Sequence, residues 1–237
     1  CTAIPIGTAL AQSFNVEACE ELGSMVGQEM EQFGVNLWLA PAMNIQRSPL
    51  CGRDFEYYSE DPLLSGKMAA TITKGVQALP GVGTTVKHYA CNNQENNRMG
   101  VDAVVSERAL REIYLRGFEI AIKESQPMCI MTSYNEINGV HSANNADLCT
   151  EIARREWHFQ GVIMNAWATT LDFGGANAAG CVAAGNDLIM PGATSDLENI
   201  EQAYAEGRLS EADIRSCAER VLNIVLRTNG YADATSY

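Results

Sequence analysis

Positive charge is scarce in this sequence: its 237 residues carry 16 Lys and Arg against 29 Asp and Glu, a formal net charge of -13. No cluster of Lys and Arg stands out that could neutralise a phosphate backbone or dock on anionic lipid, so no nucleic acid and no membrane is expected as a partner. Long apolar runs are absent too. Leu37 to Ala42 and Met128 to Met131 stop well short of the roughly 20 residues that span a bilayer. The opening, Cys1-Thr2-Ala3-Ile4-Pro5, has neither an initiator Met nor a basic stretch leading into an apolar one. The chain is therefore expected to be cut from something longer, and it cannot report its own targeting.

Paired cysteine motifs are missing as well. Cys1, Cys19, Cys51, Cys91, Cys129, Cys149, Cys181 and Cys217 stand singly, several inside apolar runs, which argues against both a zinc site and a disulfide framework. Buried free thiols in a reducing compartment are the expectation, with the cytoplasm favoured. No internal repeat, low-complexity tract or Pro/Ser-rich linker divides the chain, so residues 1–237 are expected to form one continuous domain. No Gly-rich phosphate loop opens a helix, which weakens any assignment to barrel enzymes acting on phosphorylated substrates. No cofactor and no metal is expected.

With 46% hydrophobic residues the chain can bury a sizeable core. Strand-like runs recur at Val35 to Ala40, Gly83 to Tyr89, Met128 to Tyr134, Gly161 to Trp167 and Asn186 to Met190. The segments between several of them carry helical periodicity, the alternation expected of an α/β parallel architecture. One helix is expected to run from an Asn15 cap to a Gly34 stop, with Cys19, Leu22, Val26, Met30 and Phe33 on one face. Asp61-Pro62 opens a second, carrying Leu64, Met68 and Ile72. A third follows Ser106 and buries Leu110, Ile113, Gly117 and Ala121. Ser210 and Asp213 form a capping box ahead of Ile214, Cys217, Val221 and Val225, in a helix ending near Gly230. Five strands are too few for a closed eight-stranded barrel, so an incomplete barrel is expected, the rest missing or supplied by another chain.

In a β/α barrel the polar residues that follow strand ends point into the mouth, and here the polar residues concentrate there. The first strand is followed by Asn44 to Pro62, dense in charge and aromatics, in which an Arg fork such as that of Arg53 suits bidentate contact with paired hydroxyls or a carboxylate. A blander reading has Arg47 and Arg53 pairing with Glu56, Glu60 or Asp61 to hold the loop. The second strand ends in Lys87-His88-Tyr89 and runs on to Asn92-Asn93-Gln94-Glu95 and Arg98. Met131-Thr132-Ser133-Tyr134-Asn135 ends the third and Met164-Asn165-Ala166-Trp167 the fourth, where Trp167 is either a platform for a sugar ring or core.

Together the strings Arg47 to Pro62, Lys87-His88 with Asn92 to Arg98, Ser106 to Tyr114, and Met131 to Gly139 resemble glycoside hydrolase family 3. The likeness runs nearly end to end, from Pro5 to Gly192. It implies a (β/α)8 TIM-type barrel and a retaining exo-β-glycosidase, β-glucosidase ahead of β-xylosidase. β-N-acetylglucosaminidase ranks lower, because no Asp-His loop follows Lys87-His88. It also implies that Arg53, Lys87, His88, Met131, Tyr134 and Trp167, and more weakly Arg98, line the subsite for the terminal sugar. The family's fourth strand ends in Ser or Thr, then a nucleophilic Asp, then Trp; here that Asp position is Ala166. A methyl group cannot attack an anomeric carbon, and a retaining mechanism needs two carboxyl groups roughly 5 Å apart. The chain as written is expected to be inactive, through an engineered substitution rather than natural decay, because the surrounding motifs are intact. The family's general acid/base, on a second domain, and its upstream Asp-Gly-Pro element lie outside these residues. The expected partners are a β-linked glucoside or oligosaccharide, and the remaining barrel segment and second domain of the parent enzyme. A non-catalytic sugar-binding protein is the competing class.

Overall fold

The computed structural model describes residues 1–171, 175–229 and 231. Helix α1 (Gly7–Gln12) leads into α2 (Val16–Gln32), capped by Asn15, whose side chain accepts from the Ala18 N–H at 2.9 Å. Strand β1 (Leu37–Trp38) is followed by the long loop to α3 (Pro62–Gln77), where the Asp61 side chain accepts from the Leu63 N–H and proline occupies the first turn. Then come β2 (Gly83–Tyr89), β3 (Asp102–Ala103), a single turn α4 (Glu107–Ala109) and α5 (Arg116–Ser125). Strands β4 (Cys129–Thr132), β5 (Glu136–Ile137) and β6 (Val140–His141) lead to a π-helical segment, Asp147–Glu156. Strand β7 (Val162–Met164) and helices α6 (Ala178–Ala184), α7 (Thr194–Ala205) and α8 (Glu211–Val225) follow.

The main sheet is parallel, in the order β1-β2-β4-β7, and a parallel bridge from Met164 to Leu188 adds the fifth member. This is the expected architecture of an incomplete barrel. Side chains alternate across it. The row Val86, Ile130, Ile163 is in register and packs outward into the core shared with the helices. The next row, Lys87, Met131, Met164, is also in register, and its two methionines join Val162, Ala166 and Ile224 in a separate cluster on the other face. The strand expected over Val35 to Ala40 is shorter, but Thr85 N–H still donates to the Ala40 carbonyl and Lys87 N–H to that of Pro41, keeping the direction as far as the loop.

Helices α2 and α3 cross at touching distance because Gly23 and Gly75 face one another; a Cβ at Gly75 would sit 2.2 Å from the Glu20 carbonyl oxygen. Three expected core positions lie outside instead. Phe33, at the end of α2, is 60% exposed. Ile113 is 40% exposed because the backbone makes a π turn over Leu110–Tyr114, with the Leu115 N–H bonded to the Leu110 carbonyl at 2.8 Å. The extra residue rotates the helix phase and turns Leu115 inward in its place. On α8, Val225 is exposed and Ile224 takes the buried position; the Ser210–Asp213 capping box forms as expected, and Gly230 lies outside the described residues.

A small second sheet, β3-β5-β6, projects from the exit side of the main one. Asn138 and Gly139 turn its hairpin with positive φ values of 51° and 83°. No helix among the described residues is long and apolar enough to cross a membrane. All eight cysteines are free, and all but Cys1 are buried.

Candidate active site

Each strand of the main sheet delivers its polar residues at the exit end, as a parallel barrel requires. Lys87 is half-buried, and burial, with help from the Arg53 charge, lowers its pKa, while Glu56 opposes that shift. The next side chain, His88, is 3% exposed. Its pKa falls well below the usual histidine value, through burial first and then the cationic neighbours Arg53, Lys87 and Arg98. Arg53, on the loop after β1, ion-pairs with Glu56 and places Nη1 2.9 Å from His88 Nε2. This arginine ties its own loop together, as the blander reading has it, and also reaches a neighbouring strand end. Arg47 makes no ion pair among the described residues and stands exposed beside a cavity of ≈ 540 Å³, lined also by Ser48, Cys51, Asn93, Gln94 and Glu95.

From His88 a chain of contacts runs to the other strand ends. The Tyr57 hydroxyl lies 3.5 Å from His88 Nδ1 and accepts from Asn92 Nδ2 at 2.9 Å. The same Asn92 amide donates to Glu95 Oε1 at 3.0 Å, and Arg98 Nη1 donates to Glu95 Oε2 at 2.7 Å. The Arg98 guanidinium stacks 4.6 Å from the centre of the Tyr134 ring, a cation–π contact. Tyr134 in turn donates its hydroxyl proton to the Trp167 carbonyl at 2.8 Å. Arg53, His88, Arg98, Tyr134 and Trp167 thus belong to one connected arrangement, with Lys87 and Met131 paired in the sheet beneath it.

Ala166 follows β7, two residues past Met164, and is 1% exposed. Its carbonyl accepts from the Thr169 hydroxyl and N–H, which tightens the turn around Ala168, held at φ 64°. Trp167 is 61% exposed, so it is not core. Asn44, Tyr57, Asn92 and Glu95 were not singled out from the sequence. Their signal lay in the loops already marked as dense in polar residues, but nothing in the spacing says which amide meets which ring. Among the described residues no group of three His, Cys, Asp or Glu side chains is placed to hold a metal ion.

The model of the glycosyl hydrolase family 3 N-terminal domain matches residues 1–224. The chain belongs to this family. Among its relatives, a β-glucosidase of Ruminococcus albus is 43% identical over 236 residues, covering 97% of this chain and 25% of that protein. An exo-α-(1→6)-L-arabinopyranosidase of Bifidobacterium breve is 42% identical, covering 100% of this chain and 30% of that one. The structure of β-glucosidase 3B from Thermotoga neapolitana in complex with α-D-glucose superimposes with a TM-score of 0.93 at 48% identity, over 98% of this chain and 33% of that one. The chain therefore spans a quarter to a third of the length of these family members.

Proposed function

We propose that this chain is most of the barrel of a retaining exo-β-glycosidase, a β-glucosidase, and that its strand ends bind the terminal non-reducing sugar. In this reading Arg53, Lys87 and His88 hydrogen-bond the ring hydroxyls, Met131 and Tyr134 form the wall, Arg98 braces Tyr134, and Trp167 stacks on the apolar ring face. The observation that carries it is the connected arrangement from Arg53 through His88 and Arg98 to Trp167, on the face where a barrel does its chemistry. The β-glucosidase relatives support the sugar class; the arabinopyranosidase shows that the family's sugar varies at similar identity.

Ala166 occupies the position from which a carboxylate would attack the anomeric carbon to form a glycosyl-enzyme intermediate. Its methyl group supports sugar binding without turnover. The first barrel strand or strands and the domain carrying the general acid/base belong to the rest of the parent enzyme, whether in the same chain or another.

Restoring the carboxylate tests this. In the complete enzyme, Ala166→Asp is expected to raise turnover of an aryl β-glucoside by roughly several powers of ten, while the alanine form binds glucose and does not cleave. A small external nucleophile such as azide is expected to rescue part of the activity in the alanine form, with inverted product. Tight glucose binding with no gain in cleavage after the repair would overturn the enzyme reading. A sugar-binding protein that has discarded its chemistry would then take its place.

A further inference from the structure

Side chains from the two ends of the candidate site meet at one carboxylate, that of Glu95. Glu95 and Arg98 close a turn in the loop after β2: the Arg98 N–H donates to the Glu95 carbonyl at 3.3 Å, and Asn97 turns the chain at φ 53°. Glu95 Oε2 accepts from Arg98 Nη1 at 2.7 Å, and Oε1 accepts from Asn92 Nδ2 at 3.0 Å. The same Nδ2 gives its other hydrogen to the Tyr57 hydroxyl at 2.9 Å. A flipped Asn92 amide would set its oxygen against the carboxylate, so Glu95 fixes it one way round. Beyond Arg98 lies the Tyr134 ring, its centre 4.6 Å from the guanidinium. The His88 end has its own anchors. Asn44 Nδ2 donates to the His88 carbonyl and Asn44 Oδ1 accepts from the His88 N–H, both at 2.8 Å, while Arg53 pairs with Glu56. Arg98 has a single acid, Glu95, among the described residues.

We propose that Glu95 is a positioning residue: by dividing its two oxygens between Asn92 and Arg98 it sets the guanidinium over Tyr134 and fixes that wall of the site. Arginine is long and flexible, and a ring face attracts a cation without fixing its orientation; a charge-assisted bond to a carboxylate supplies the direction. The two side chains are 34% and 22% exposed, so water screens the pair and it adds little to stability. Its effect therefore falls on placement rather than on folding. The consequence for sugar affinity rests on the proposed sugar site, but the first test does not.

Proton NMR of the full chain is expected to show Arg98 side-chain signals moved upfield by the Tyr134 ring, assigned by their loss in Arg98→Ala. In Glu95→Gln the amide serves Asn92 or Arg98 but not both, and the upfield displacement is expected to fall by roughly half or more with the thermal transition unmoved. Glu95→Asp keeps both oxygens and is expected to retain most of it. An undiminished displacement in Glu95→Gln overturns the inference, whether or not sugar binds. In calorimetric titration Glu95→Gln is expected to weaken glucose binding roughly five-fold, about 1 kcal/mol. Made in the Arg98→Ala background, the same substitution is expected to change affinity by less than about two-fold, because its effect passes through the guanidinium. Losses that simply add overturn that route. If glucose does not bind the unsubstituted chain, the sugar-site reading fails and the ring displacement alone decides the placement of Arg98.

Discussion

At the entry end of the parallel sheet, Leu37, Cys129, Val162 and Leu188 surround an apolar cavity of ≈ 490 Å³ that α8 covers with Val221, Ile224 and Val225. At the exit end the same strands, one or two pleats further on, present His88, Tyr134 and Trp167, tied by contacts to Arg53 and Arg98 and by the Tyr134 hydroxyl bond to the Trp167 carbonyl, with Lys87 beside them. A single strand such as β4 serves both, with Cys129 at one end and Met131 near the other. The contrast teaches where the chain keeps its stability and where it keeps its proposed recognition. The entry end is closed by area and packing, which bind nothing polar. The exit end buries His88 and half-buries Lys87, an arrangement that is costly unless each group has a partner.

The largest expected effect lies on the entry side. The Asp187 side chain is fully buried, ion-paired to Arg154 and to Arg220 of α8, and it accepts the Ile163 N–H at 2.8 Å. Asp187→Ala strands two guanidiniums, and the expected loss is about 3–5 kcal/mol, a fall in melting temperature of roughly 10 °C by calorimetry. Glucose affinity of the variant below its transition should be unchanged; a large loss of affinity there would erase the division between the two ends. Next, Ile224→Ala enlarges the entry-end cavity and is expected to cost about 2–4 kcal/mol in denaturant unfolding, again with sugar binding intact.

Trp167→Ala sharpens the comparison from the other side. Its ring is exposed, so stability should move by less than about 0.5 kcal/mol, while glucose binding weakens by about 0.5–1.5 kcal/mol, read by titration. The smallest effect is in pH. A histidine whose folded pKa is depressed binds its proton more readily unfolded, so its neutral form supports the fold above the ordinary histidine pKa. That support is lost as pH falls through about 6.5 toward the folded value. His88→Gln should flatten the stability profile between about pH 7 and 5 in urea titrations; an unchanged slope would mean the imidazole is not held neutral.

Much of the frame was legible in the sequence, because fully buried parallel strands read as apolar runs and because Asn15, Asp61, Ser106 and Ser210 announce their helices. The Asn138-Gly139 turn carried a readable hairpin signal, yet its strands are two residues each, too short to show alternation. The π turns were illegible: periodicity assumes 3.6 residues per turn, and a single inserted residue leaves no mark in composition. At the site, the residue types at strand ends were readable, while the amide contacts of Asn44 and Asn92 depend on loops folding across one another. Such pairings have no spacing rule.

The π turn at Leu110–Tyr114 also makes that helix a phase shifter. Upstream of it Ser106 caps α4, within it Arg111 reaches across to Glu156 at 2.6 Å, and downstream α5 packs its Gly117 against Gly66 of α3. Removing one residue inside the turn would restore ordinary helical pitch and swing everything before it by about 100° around the axis, while α5 stayed seated. The stretch is thus a joint between two rhythms, with the loop after β3 on one side of it and the barrel wall on the other.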